Sequence, residues 1–473
     1  MNIAHIAGNA AALTVSNILA KIVTAVVAIF LTRYLGPDAY GSYTIALTYA
    51  GVFIVFAELG LSQLMVQEGS RRPAVLPVYF GNALLAKTIL VALAYVLMLV
   101  LMRPIGYSGQ VRGLIVFAGL GAGVNAVCQS VYNYYQAVER MAAAALYQLL
   151  TAFLLSAASL FVILAALSVR AVLISQFLVY LGVAFLLAWT LRDRIHPRPD
   201  LGALPDMARR ALPFGLHRMF YYIYLQMSVL LLSFSGATSF EVGIYAAPYR
   251  LVQLLLFIPS TLTSALYPIL YQQGADDRDA HRRTTEKLCK VLVGVGLPGS
   301  VLLSVLAAPF IRWLFGEGFS PSAPVLVLVS WLLALECLSF SLGDALTTTN
   351  RQSQRMAAQG AGLLALVLFM PAGYRLGGLT GIAVVVLAVE TLLFFLYYTL
   401  VRRNVYPIRL WRQLPAVAAA ALVMAAAAFL LRGWHPLAAS ALAGCLYLVQ
   451  LACTDADFRL LGGLLRRRRP KKP

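Results

Sequence analysis

The 473-residue sequence predicts an all-α membrane protein of about 14 transmembrane helices. Composition is the first reason: residues of the set AVILMFWYC make up 61% of the chain, charged residues 12%, and mean hydropathy is +0.81, which excludes a water-soluble fold. The second is periodic length, because apolar stretches of roughly 20 residues, enough to cross the hydrocarbon core, recur from end to end. The third is the distribution of basic residues. With the N-terminus in the cytoplasm, 25 lysines and arginines fall in inner loops and the tail and seven in outer loops. The positive-inside rule then sets both termini in the cytoplasm of a multi-pass protein of the bacterial inner membrane.

The expected spans lie near 10–32, 40–66, 78–102, 111–137, 144–167, 170–191, 212–233, 241–270, 286–308, 324–347, 356–374, 378–401, 413–431 and 435–452. The short 167–170 turn leaves room for a merged pair and a count of twelve. Because Met1 to Gly8 has no basic leader, the first apolar stretch is expected to be a retained helix. Cys128, Cys289, Cys337, Cys445 and Cys453 lack metal-ligand spacing and sit in or beside apolar segments, so neither a disulfide nor a metal is assigned. Loop asymmetry accounts for much of the +19 net charge, and the basic pI need not imply nucleic-acid binding. The tail Arg466 to Lys472 reads as a topology anchor on anionic lipid.

The longest inner connection, rich in Pro and Arg, follows the sixth span and reads as a linker. The expected organisation is an N-lobe at 1–195, a linker at 196–211, a C-lobe at 212–403, two further helices at 404–454 and a basic tail at 455–473. Across the linker, Gly41-Ser42-Tyr43 echoes Gly243-Ile244-Tyr245 at an offset of 202 residues. Two halves of like orientation are the pattern of a parallel-repeat transporter. Glycines that merely let helices pack closely leave the same trace.

Ionisable side chains in the bilayer cost about 2.5–3.5 kcal/mol each on insertion scales, so they face a wet cavity or one another. Here they are Lys21, Glu58, Lys87, Arg218, Arg250, Glu336, Asp344 and Glu390, with His217 beside Arg218. Lys21, Arg250, Glu336 and Glu390 lie deepest and suit a central cavity or a buried ion pair. Lys87 and Arg218 are close enough to the inner face either to snorkel or to enter a cavity. Glu58 and Asp344 either cap helices or pair with loop arginines. Two stripes are organised: Thr14, Asn17, Lys21 and Thr24 in the first span, and Asn125, Gln129, Tyr132 or Asn133, and Gln136 in the fourth. Tyr221, Tyr222, Tyr224 and Gln226 follow Arg218, and Tyr245, Tyr249 and Gln253 surround Arg250. Aromatic faces stack on sugar rings, amides bond hydroxyl groups and guanidinium binds phosphate bidentately. Tyrosines near helix ends also serve as interface anchors.

Enzyme chemistry has no foothold. The five histidines are scattered, with no HExxH, GxxxxGK[ST] or GxSxG pattern, so no catalytic residue, cofactor or ATPase function is expected. A ligase or polymerase would need a large outer loop, and the outer loops are about 5–15 residues long. The driving force expected is an ion gradient, the membrane potential or the substrate gradient.

The segment Arg33-Tyr34-Leu35-Gly36-Pro37-Asp38-Ala39-Tyr40-Gly41-Ser42-Tyr43, followed by Glu58-Leu59-Gly60-Leu61-Ser62, resembles the signature region of the bacterial polysaccharide transporter family. These are the Wzx-like flippases of the MOP superfamily. Val242 to Leu251, Pro259, Tyr267-Pro268 and the stretch Ala308 to Phe319 extend the resemblance nearly end to end. It implies a MATE-like fold of two six-helix lobes plus two C-terminal helices. It also implies alternating-access transfer of undecaprenyl-pyrophosphate-linked oligosaccharide from the cytoplasmic to the periplasmic leaflet. A cationic cavity of the family's kind would draw on Lys21, Lys87, Arg218 and Arg250, with Asn17, Asn125, Gln129, Asn133, Tyr222 and Tyr249 as further substrate contacts. Glu58, Glu336, Asp344 and Glu390 are the candidates for ion coupling. Membrane lipid, the polyprenyl-linked glycan, and polysaccharide polymerase and chain-length machinery are the partners expected. A MATE-type cation or drug antiporter and a lipid II-type precursor flippase are the alternatives; the antiporter needs an acidic cavity, whereas the deep charges here are mixed.

Overall fold

The computed structural model describes residues 3–192, 197–410 and 414–455, with the backbone alone at 3–19, 213, 214, 217, 218 and 221. Among the described residues every regular element is helical, and ten segments are long and apolar enough to cross a membrane. About fourteen spans were expected, and the difference has a local cause. Two expected pairs run on as single helices: α1 (Ile3–Ile54) takes in 10–32 and most of 40–66, and α14 (Gln352–Asn404) takes in 356–374 and 378–401. Each is broken at a glycine of positive φ, Gly36 (φ 70°) and Gly378 (φ 56°), so the expected loops shrink to single-residue breaks. Pro37 adds to the first break, since it cannot donate into the preceding turn. The apolar parts of two further helices, Tyr222–Phe234 and Pro415–Leu430, are shorter than the rest.

The chain forms two compact units, Met1–Gly243 and Ile244–Pro473. The first holds α1, α2 (Leu61–Arg71), α3 (Leu76–Leu101), α4 (Gly109–Ala137), α5 (Met141–Leu164), α6 (Val169–Leu191) and α7 (Leu204–Phe234). The expected second span does not run to residue 66. It ends at Ala57, because Leu59 and Gly60 take positive φ (31° and 78°) and α2 starts afresh at Leu61. Ser108 caps α4, its Oγ accepting from Val111 N at 3.3 Å. The core of this unit is α4 packed among α1, α3 and α6, with Cys128, Tyr132 and Tyr135 buried against Phe80, Val183 and Leu187. The 197–203 part of the expected linker lies on this unit. Asn82, fully buried on α3, donates to the Asp200 carbonyl at 2.8 Å and accepts from Asp200 N at 2.8 Å. The start of α7 is held on α2 and α3 by Arg210, which pairs with Glu68 and donates to Tyr79 Oη at 3.2 Å.

A Thr238–Glu241 capping box opens α8 (Ser239–Leu255): Thr238 Oγ1 accepts from Glu241 N at 3.2 Å, and Glu241 Oε2 accepts from Thr238 N at 2.8 Å. Here the two glycines of the repeated Gly-x-Tyr motif meet. A Cβ on Gly41 would strike the Ser239 carbonyl, and one on Gly243 the Pro37 carbonyl.

In the second unit α8 continues into α9 (Phe257–Asp276), α10 (Arg278–Val305), α11 (Ala307–Phe315), α12 (Ala323–Val329), α13 (Trp331–Thr348), α14, α15 (Pro415–Leu430) and α16 (Pro436–Thr454). Its centre is α10 against α13 and α15, with α14 on α13. Asp277 caps α10 by accepting from Asp279 N and Ala280 N at 3.0 and 2.9 Å. Lys290, a residue the sequence reading passed over, binds Asp455 at 2.7 Å, and Tyr447 Oη donates to the Gly294 carbonyl at 2.9 Å. These two contacts dock α16 onto α10.

Large apolar side chains stand exposed along helix faces: Ile89, Leu93, Val96, Leu97 and Val100 on α3, and Leu178, Leu181, Phe185 and Trp189 on α6. Their spacing marks one stripe per helix, as lipid contact requires. All five cysteines carry free thiols, three of them buried.

Candidate functional site

Charge inside the first unit is concentrated where α1 ends. The break at Leu59-Gly60 aims Glu58 at α3, and Lys87 meets it there: Nζ lies 2.7 Å from Glu58 Oε2 and donates to Ser62 Oγ at 2.8 Å. Lys87 is 0% exposed, so it neither snorkels to the surface nor lines an open cavity. Glu58 thus pairs with a lysine of the third helix, within the span. Buried together, the carboxylate and the ammonium offset part of the desolvation cost that each would carry alone.

The α4 stripe looks different. Asn125, Gln129 and Asn133 are half-buried and make no hydrogen bond with other described residues, on a face distinct from the one that buries Cys128 and Tyr135. Three successive amides left to solvent or ligand are a polar track one helix turn apart. Lys21 is exposed on α1, while the Tyr222 hydroxyl of α7 sits against Gly51, where a Cβ would collide with it. The side chains of Asn17 and Arg218 lie outside the described residues, as does the basic tail from residue 456.

In the second unit Asp344 is 2% exposed and binds Arg355 at 3.0 Å, while Tyr267 Oη donates to the same Oδ1 at 2.6 Å. Arg355 also donates to Thr347 Oγ1 at 2.9 Å. The sequence reading placed Arg355 in an inner loop. It instead belongs to α14 with its side chain 13% exposed, because the turn between α13 and α14 is short and folds it back onto α13. Glu336 on α13 lies within electrostatic reach of Glu390 and Arg355, and Tyr397 within reach of all three. Three of the four acidic candidates thus gather around one arginine, and Glu58 stands apart with Lys87. Tyr245 and Tyr249 stack at 5.8 Å with rings 18° apart, and Arg250 next to them is exposed.

A further buried network was not foreseen. His281 joins Tyr406 Oη at 3.0 Å and Thr348 Oγ1 at 2.8 Å, and Tyr406 donates to Thr285 Oγ1 at 2.8 Å. It ties α10 to the end of α13 and to the segment after α14. Its partners are 67 and 125 residues away, and nothing local signals them. Among the described residues no group of His, Cys, Asp and Glu could hold a metal ion.

Many apolar helices carrying internally paired charges mark a multi-pass membrane protein, and the comparisons agree. Residues 6–273 match the family described as Polysaccharide biosynthesis protein. That is more than half of the chain, which belongs to this family. Among solved structures, a lipid II flippase MurJ in an inward closed conformation is similar over 93% of this chain and 98% of its own, with a TM-score of 0.76 at 11% identity. An inward-facing multidrug resistance MATE family transporter of the MOP superfamily is similar over 81% of this chain and 94% of its own (TM-score 0.67, 16% identity). A MOP superfamily transporter from Pyrococcus furiosus, described by the reverse polarity of its binding pocket, is similar over 83% and 93% (TM-score 0.55, 15% identity). At these identities the likeness is one of fold. No curated protein matches the sequence.

Proposed function

We propose that the protein is a flippase that transfers undecaprenyl-pyrophosphate-linked oligosaccharide, an O-antigen, capsule or exopolysaccharide repeat unit, from the cytoplasmic to the periplasmic leaflet by alternating access. The observation that carries this reading is membership of a polysaccharide biosynthesis family in a chain whose fold matches a lipid II flippase over nearly its whole length. Both point to a glycan on a lipid carrier. The proposal includes fourteen spans, since α1 and α14 each divide at their glycine break and α7 and α15 add one each. At 1.5 Å per residue the 53 residues of α14 run about 80 Å, enough for two crossings of a ~30 Å core. It also places the protein in the inner membrane with both termini in the cytoplasm, as the loop charges favour.

In the proposed cycle the sugar hydroxyls bond the amide track Asn125, Gln129 and Asn133, and Arg250 engages the pyrophosphate with Tyr249 beside it. Lys21 supplies further positive charge. Lys87, locked to Glu58, holds α3 and the end of α1 in register rather than meeting substrate. The cation antiporter reading draws on one specific observation, the gathering of Glu336, Asp344 and Glu390, but Arg355 within that cluster opposes cation entry.

Arg250→Ala is expected to abolish surface glycan while the protein persists in the membrane at its normal level. Surface polysaccharide staining beside an immunoblot of the membrane fraction checks it, and normal glycan on the variant would remove Arg250 from the mechanism.

A further inference from the structure

The first unit contains a cavity of about 550 Å³ that the transport reading does not use. Its walls are apolar: Phe80 and Leu84 of α3, Cys128 and Val131 of α4, and Ala184 and Leu187 of α6. Its size falls within the ~300–1,000 Å³ range of ligand-binding cavities. Apolar walls do not hold water, so an apolar occupant is what the side chains around this space can contact favourably. One end reaches the surface at Ala188 and Arg192, both exposed. The Arg192 guanidinium lies 4.1 Å above the Trp189 ring. Stacking uses the face of the guanidinium, while its N–H donors lie in the plane at its edge, the geometry that suits a phosphate.

Pro197 borders the same end. It begins a strap that is fixed twice: Arg198 N donates to the Pro77 carbonyl at 3.2 Å, and Asn82 clasps Asp200 through both of its amide atoms. The strap runs so close to α3 that a Cβ on Gly81 would fall 2.8 Å from Pro199 N. Phe185 and Trp189 of the exposed apolar α6 stripe lie beside the mouth.

The geometry points to a resident anionic phospholipid, one acyl chain in the cavity and its phosphate at Arg192. An apolar cavity with a stacked cation at its rim is complementary to that amphiphile. Depth argues for a resident rather than a passenger. The lining of α6 spans residues 184–191, about 12 Å of helix, under half of a ~30 Å hydrocarbon core. A lipid held here stays within one leaflet, behind a strap pinned by a buried asparagine. The inference stands apart from the transport reading and is tested on the purified full-length chain without any transport assay.

The protein is reconstituted in nanodiscs of mixed phosphatidylglycerol and phosphatidylcholine, returned to detergent and examined by native mass spectrometry. The expected result is one phosphatidylglycerol retained per chain. Arg192→Gln should lose the preference for phosphatidylglycerol, whereas Arg103→Gln, an exposed arginine beyond the other end of α3, should keep it. Ala184→Phe, which fills the cavity, should retain no lipid. Alkylation of Cys128 provides a readout independent of that variant's folding: in the wild-type chain it should be faster after delipidation and slow again when phosphatidylglycerol is restored. Equal retention in wild type and Arg192→Gln, Cys128 reactivity indifferent to lipid, or recovery of a polyprenyl phosphate in place of the phospholipid would each overturn the inference.

Discussion

Lys87→Met is expected to destabilise the first unit by about 3–5 kcal/mol, the usual cost of breaking a buried ion pair from one side. The reason lies in what remains. Glu58, its side chain 12% exposed, loses the ammonium 2.7 Å away, and methionine offers Ser62 no donor in return. Replacing both partners tells a different story, because two apolar side chains of similar volume remove the desolvation cost along with the attraction. The double variant Glu58→Leu/Lys87→Met should therefore recover most of the stability lost in Lys87→Met. Thermal unfolding of the purified protein, followed by tryptophan fluorescence, reads both. A single variant as stable as the wild type would mean that the lysine is not buried against Glu58 in the membrane.

The second large effect is expected at Asp344. Asp344→Leu leaves the Arg355 guanidinium with Thr347 and takes from Tyr267 the acceptor of its 2.6 Å hydrogen bond, so about 3–5 kcal/mol should again be lost. Tyr267→Phe removes only the hydrogen bond to a charged group, worth about 1.5–3 kcal/mol, and should rank below it. The order separates the ion pair from the hydrogen bond. If Tyr267→Phe proves the more damaging, the tyrosine rather than Arg355 holds Asp344 in place. Because Glu336 lies within electrostatic reach of Arg355 and of Glu390, loss of Asp344 should also shift the charge balance of that cluster, which a transport assay reads independently of stability.

Much of the fold was legible in the sequence because lipid imposes a coarse rule: a span must be apolar and about 20 residues long. Gly36-Pro37 fell in the loop expected between the first two spans, and the Gly41 and Gly243 motifs were visible as a pair, but the break at Leu59-Gly60 fell inside an expected span, 40–66. What the sequence did not convey is that the Gly36 and Gly378 breaks are single residues between abutting helices, since that depends on a φ value and not on composition. The charged residues show the same division. Lys87, Glu58 and Asp344 stood out as misplaced in an apolar span, but their partners lie 11 to 29 positions away on other helices, and helix rotation decides which charges meet. Arg355 counted as a loop charge because hydropathy ends a span at its first arginine. Lys290 escaped notice beside a run of inner-face basic residues, and its partner Asp455 is 165 residues distant. The α4 amide track needed only a helical period and was readable without tertiary information.

Deleting the gene in its native host and analysing surface polysaccharide together with the undecaprenyl-linked pool by mass spectrometry tests the central claim most directly. The flippase account predicts that surface glycan disappears while complete repeat units accumulate on the carrier, shielded from a glycosidase supplied at the periplasmic face. Intact surface glycan with an unchanged carrier pool would contradict it.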